Sequence, residues 1–148
     1  MNIIYRTKAV SVGGRDGGKV RIENSPFEFD MVLPGKAESN KNGVNPEQLF
    51  AAGYSACFES ALRRTAKKKN IELGSTSIEV EVGLGAMDNG NYSLFANITA
   101  ILSGVDQSTA DLLVEGAHQI CPYSNATRGN IEVNISARVI SETQNNTQ

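Results

Sequence analysis

Two cysteines, Cys57 and Cys121, are the strongest nucleophiles in the sequence, and the chain has no others. The thiolate is the reactive form, and a nearby cation or a helix N-terminus is what makes it accessible near neutral pH. A free cysteine also packs well as a small hydrophobe, so two inert buried thiols are the plain alternative. The single histidine, His118, excludes a multi-histidine metal site within one chain and leaves one candidate for a hydrolase that needs a histidine base. His118-x-x-Cys121 places two zinc-compatible ligands on one helix face, with Cys57 and a carboxylate to complete a set, but the usual paired spacing is missing. A serine hydrolase built on Ser55 or Ser60 fares worse. Gly53-Tyr-Ser55-Ala-Cys57 lacks the second glycine of a nucleophile elbow and lies inside a helical pattern.

The two cysteines differ in setting. Cys121 is expected at the end of a helix, where the dipole opposes ionisation. Cys57 is expected in the middle of an apolar helix, where burial raises a thiol pKa. A reactive Cys57 therefore needs an imported cation. Arg63 and Arg64 follow by six and seven residues, roughly 9–10 Å along a helix axis. Arg15, in the turn Gly13-Gly14-Arg15-Asp16-Gly17-Gly18, can approach more closely, although an exposed hairpin charge is its ordinary role. Glu47 is either a first-turn carboxylate favoured by the dipole or the partner of Arg15. It precedes Cys57 by ten residues, roughly 15 Å of straight helix, and cannot touch it. An arginine held bidentately by that carboxylate could link the two. Arg128 is expected to cap a turn or join a charge network, and Glu59, two residues from Cys57, points elsewhere on the helix.

These residues need elements to hold them. Alternation over 27–33, and more weakly over 3–12 and 19–23, predicts strands, with Asp16-Gly17 as a two-residue hairpin signal. Residues 34–44 are polar and breaker-rich and are expected to form an exposed loop. Asn45, Pro46 and Gln48 supply an N-cap, a first-turn proline and a capping box for a helix running to about Lys69. Its basic end, Arg63 to Lys69, complements the dipole and is better read as solvated charge than as a nucleic-acid surface. Between Leu49 and Leu62 the apolar residues exceed one stripe, which predicts burial on most of the circumference and a second subunit as cover. Ile78–Leu84 and Tyr92–Leu102 alternate around Asp88-Asn89-Gly90-Asn91 as a hairpin, and Ile131–Val139 alternates again. A second helix is expected over about 107–121, capped by Asp106 or Ser108 and closed by Pro122. The order β-β-β-α-β-β-α-β gives an α+β fold with mostly antiparallel sheets around a long central helix.

At 148 residues the chain is expected to form one domain, residues 1–140, followed by a polar C-terminal tail, 141–148. A net charge of −2 gives no electrostatic reason to expect nucleic acid or an anionic membrane as partner. No apolar run approaches the roughly 20 residues of a membrane span. The N-terminus lacks signal-peptide features, so the expected location is cytoplasmic, with the thiols reduced.

Two stretches carry a resemblance. Asn45-Pro-Glu-Gln-Leu-Phe-Ala-Ala-Gly-Tyr-Ser-Ala-Cys57-Phe and Ala117-His-Gln-Ile-Cys121-Pro-Tyr-Ser-Asn-Ala-Thr-Arg-Gly-Asn130 resemble signature segments of the organic hydroperoxide resistance proteins, the Ohr branch of the OsmC/Ohr family. The Gly-Gly-Arg15-Asp-Gly turn is similar to the family's N-terminal element, and the likeness extends from about residue 4 to 140. It implies a thiol peroxidase for organic hydroperoxides, with Cys57 peroxidatic and Cys121 resolving. Arg15 would then activate the thiolate and Glu47 orient Arg15. It also implies an intertwined homodimer with active sites at the subunit interface, and a dithiol reductant on a lipoylated protein. Metal, flavin and haem are not required. Under this reading Phe50, Tyr54, Phe58, Phe29 and Met31 are candidates for an apolar substrate pocket. A non-enzymatic small-molecule or lipid-binding module using the same pocket is the competing reading.

Overall fold

The structure is a computed structural model that describes residues 1–36 and 43–142. Its chain divides into two compact units, Met1–Leu49 and Phe50–Gln148.

The first unit is a small sheet of four strands in sequential order: β1 (Ala9–Val12), β2 (Lys19–Ile22), β3 (Glu28–Met31) and β4 (Gly43–Val44). The first two pairings are antiparallel, with Val12 opposite Lys19 and Lys19 opposite Asp30. The Lys19 ammonium lies 2.6 Å from the Asp30 carboxylate across that register. Asp16-Gly17 does not form the expected two-residue turn. The register leaves six residues, 13–18, in the connection, and Gly13, Gly14 and Gly17 occupy it at φ of +87°, +70° and +79°. Three left-handed positions in one short loop are inexpensive only for glycine. The tight turn gives way to a wider one that carries Arg15 at its tip. The last two residues of the expected 34–44 loop are also not loop: Gly43 and Val44 pair in parallel with Asp30 and Met31. Residues 37–42 of that loop, and 143–148 of the expected tail, lie outside the described residues.

Helix α1 (Pro46–Lys68) starts in the first unit and runs on through the second. Its cap is reciprocal. The Gln48 N–H donates to Asn45 Oδ1 and the Asn45 N–H donates to Gln48 Oε1, both at 2.8 Å. At the other end Asn70 adopts φ +55°, the Ile71 N–H reaches the Ala66 carbonyl at 2.9 Å, and the Asn70 N–H reaches that of Lys67 at 3.2 Å. This is a Schellman closure with asparagine where glycine is commoner.

In the second unit β5 (Thr76–Ala86) and β6 (Tyr92–Leu102) form the expected hairpin, from Thr76 opposite Leu102 to Ala86 opposite Tyr92. Helices α2 (Gln107–Ile120) and α3 (Pro122–Thr127) then lead to β7 (Glu132–Val139), which pairs in parallel with β6. A parallel neighbour requires a crossover, and these two helices are it. Asp106 is the α2 cap, accepting the Thr109 N–H at 2.8 Å. Pro122 does more than end α2, because it opens α3 at the first helical position, where its missing N–H costs nothing.

The core joins one stripe of α1 (Tyr54, Phe58, Ala61, Leu62, Ala66) to Ala110, Leu113, Val114 and Ala117 of α2 and to Ile98, Ala100 and Leu102 of β6. Each large side chain so buried contributes about 1.5–3 kcal/mol. Gly116 lets α2 close on α1, since a Cβ there would lie 2.5 Å from Thr65 Cγ2. The expectation that α1 is buried around most of its circumference is not met within one chain. Ala52, Ala56 and Ser60 are exposed, because the sheet and α2 cover one stripe only.

Candidate functional site

Cys57 lies beside the buried stripe of α1, one residue before Phe58, and is partly exposed. Cys121 is fully buried at the corner where α2 ends and α3 begins, serving both as C-cap of one and N-cap of the other. Residues far apart in sequence thus bring two free thiols to an Sγ–Sγ separation of 3.5 Å. A disulfide needs about 2.05 Å, so a small side-chain movement separates the two states. The sequence assigned Cys121 to the unfavourable end of a helix dipole. The same residue also precedes Pro122, which ends α2 and opens α3, so Cys121 stands at the start of a second helix as well.

Burial pushes the Cys57 thiol up, and the neighbouring Cys121 pushes in the same direction. The backbone N–H of Tyr123 opposes them by hydrogen bonding to the sulfur. That donor belongs to the first turn of α3, and it is a contact that residue types alone could not reveal. Cys57 borders a cavity of about 310 Å³, lined also by Ser60, Ala61, Arg64, Ile120 and Pro122. Arg64 is seven residues after Cys57, two helical turns, and so shares its face. Tyr54 and Phe58, expected as pocket walls, are fully enclosed in the core and do not line this cavity. Phe50 is half-buried and packs its ring 5.8 Å from that of Tyr54 and 6.0 Å from that of Tyr123. Phe29 and Met31 lie on β3 of the first unit, half-buried and buried respectively.

That first unit holds the charged pair. Arg15 Nη1 and Nη2 donate to Glu47 Oε2 and Oε1 at 2.8 and 2.7 Å, a bidentate fork between the glycine loop and the first turn of α1. The Arg15 hydrogen bonds hold the Glu47 carboxyl below its usual range against a burial effect of opposite sign, and its own backbone N–H helps. The fork fixes the guanidinium plane and leaves its remaining donors free of the carboxylate.

Around the cysteine corner, His118 Nδ1 lies 2.8 Å from Ser124 Oγ. Arg128 donates to the His118 carbonyl and to Asn125 Oδ1, so it does cap the turn after the helix. Glu59 holds Arg63 and Thr76. Among the described residues no three His, Cys, Asp or Glu side chains are grouped to hold a metal ion, and no helix is long and apolar enough to cross a membrane.

The site thus sets a half-exposed thiol on α1 against a second thiol at contact distance, in a mixed α+β frame. The OsmC-like protein family model matches residues 38–136, and the chain belongs to that family. It is 38% identical over 136 residues to the organic hydroperoxide resistance protein OhrB of Bacillus subtilis, covering 91% of this chain and 98% of that protein. It is 43% identical to organic hydroperoxide resistance protein-like 2 of Staphylococcus epidermidis, covering 90% and 95%. The crystal structure of an organic hydroperoxide resistance protein from Elizabethkingia anophelis superposes with a TM-score of 0.87 at 43% identity, covering 95% of this chain and all of that one. These names support a role in peroxide detoxification.

Proposed function

We propose that the chain is a cysteine-based peroxidase that reduces organic hydroperoxides to alcohols. The observation that carries this reading is the 3.5 Å approach of the Cys57 and Cys121 sulfurs, with a backbone donor on the first. Cys57 thiolate attacks the outer peroxide oxygen. The O–O bond breaks, and the departing alkoxide takes a proton and leaves as the alcohol. Cys57 becomes a sulfenic acid. The Cys121 thiolate attacks that sulfur, hydroxide leaves and is protonated to water, and a Cys57–Cys121 disulfide forms. A dithiol returns both to thiols by exchange. A dihydrolipoyl group on a protein partner is the reductant we assign, in a reducing compartment such as the cytoplasm.

Because burial pushes Cys57 up, a cation must lower it. Arg15, held in one plane by Glu47, is the group we assign to that task and to the charge that develops on the peroxide oxygens. The active form is assigned as a homodimer, which would cover the α1 face that one chain leaves open. Ala61, Ile120 and Pro122 give the Cys57 cavity an apolar wall. Alkyl, aryl and fatty-acid hydroperoxides gain about 0.8 kcal/mol per methylene buried there, and hydrogen peroxide gains nothing. The test is turnover with a dithiol reductant. Cys57→Ser should abolish peroxide consumption, and Cys121→Ser should stop after one turnover with a trappable sulfenic acid. Continued consumption by Cys57→Ser refutes the reading.

A further inference from the structure

His118 has no role in the chemistry above, yet it closes a hydrogen-bonded chain around the cysteine corner. His118 Nδ1 and Ser124 Oγ are 2.8 Å apart, Ser124 Oγ and Tyr54 Oη 2.8 Å, and Tyr54 Oη and Thr127 Oγ1 3.2 Å. Thr127 Oγ1 donates to the Ser124 carbonyl at 3.2 Å. One donor order satisfies all four bonds: His118 Nδ1–H to Ser124, Ser124 to Tyr54, Tyr54 to Thr127, and Thr127 to the Ser124 carbonyl. The reverse order leaves the Thr127 proton shared between two acceptors. Ser124 and Tyr54 are fully buried and Thr127 nearly so, hence each bond is costly to leave unmade. The chain ties α2 to α3 and both to α1. His118 and Ser124 stand on either side of Cys121, and Arg128 fixes the same corner from outside through the His118 carbonyl. Among the described residues, the Arg128 bond to the His118 carbonyl is the other side-chain hydrogen bond that links α2 to the end of α3.

We propose that His118 is a positioning residue for the resolving step: its bond to Ser124 braces the Cys121–Pro122 corner and holds the Cys121 thiol against Cys57. The proposal rests on the peroxidase reading. It neither requires His118 to move a proton nor brings it to the reacting atoms. A corner freed of this brace samples positions in which Cys121 is too far from the sulfenic sulfur. Misplacement on the ångström scale is enough to slow such a reaction by orders of magnitude.

The experiment is a single turnover of reduced full-length protein with one equivalent of an organic hydroperoxide. Peroxide loss, sulfenic acid trapped by dimedone, and disulfide measured by intact mass are followed separately. For His118→Leu the ratio of disulfide formation to peroxide consumption should fall about tenfold or more. With excess peroxide the sulfinic form of Cys57 should accumulate. His118→Asn, whose amide can bond Ser124, should restore the ratio, and Ser124→Ala should lower it as His118→Leu does. An unchanged ratio in both His118→Leu and Ser124→Ala overturns the proposal. So does an equal fall of both rates, which marks general damage, or a failure of asparagine to rescue. If wild-type protein forms no disulfide at all, it is the peroxidase reading that fails.

Discussion

The ionisation of Cys57 sets the chemistry that the thiol pair can perform. Within the chain's second unit its surroundings raise the pKa, with only the Tyr123 N–H acting against them. If Arg15 is the missing cation, Arg15→Ala should raise the Cys57 pKa, read from thiolate absorbance, and slow peroxide consumption at neutral pH by about ten- to a hundredfold. Glu47→Gln should shift both in the same direction by less, since the charge of Arg15 survives and its orientation does not. An unchanged thiol pKa in Arg15→Ala would remove Arg15 from the mechanism. The same pair predicts an acid limb. The carboxyl of Glu47 is held below its ordinary range, so its contribution to stability is complete above the unfolded-state pKa and is lost as pH falls through the lower folded value. Denaturant unfolding should therefore show a wild-type advantage over Glu47→Gln at neutral pH that shrinks in acid. A constant difference would contradict it.

At the scale of elements, α1 and α2 hold the cysteines at their separation, and their spacing depends on Gly116. Gly116→Ala should cost about 1–3 kcal/mol in denaturant unfolding, because its Cβ would press on Thr65 of α1. Thr65→Ala should recover part of that loss in the double variant. Neutrality of Gly116→Ala would show that the helices can separate freely. Most of these elements were legible beforehand because their signals are local. Asn45, Pro46 and Gln48 announce a helix start, the alternation of 92–102 and 131–139 announces strands, and Asp106 announces a cap. What escaped is non-local or ambiguous. The six-residue loop around Arg15 follows from strand register, which the glycines permit without dictating. The parallel β6–β7 pairing depends on where the chain returns after α3. Pro122 carries two meanings, helix stop and helix start, and only the structure selects both. The approach of Cys57 to Cys121 lies beyond any spacing rule, since it depends on the packing of α1, α2 and α3 together. The Cys57 cavity shows the same limit: Tyr54 and Phe58 are large and near in sequence, yet the core takes them.

For the whole molecule, the exposed Ala52–Ala56–Ser60 side of α1 and the assigned interface site predict a dimer. Light scattering at micromolar concentration should give twice the chain mass, and a monomer would contradict that assignment. The apolar cavity wall predicts higher second-order rate constants for a bulky organic hydroperoxide than for hydrogen peroxide, and equal constants would remove the substrate argument. Both rest on a redox cycle between Cys57 and Cys121, and one titration tests it most directly. Fully reduced protein is titrated with an organic hydroperoxide while free thiols and intact mass are followed. The account predicts one peroxide consumed per chain, loss of both thiols, and a mass lower by two hydrogens. Survival of both thiols in excess peroxide would contradict it, leaving Cys57 and Cys121 as packing residues.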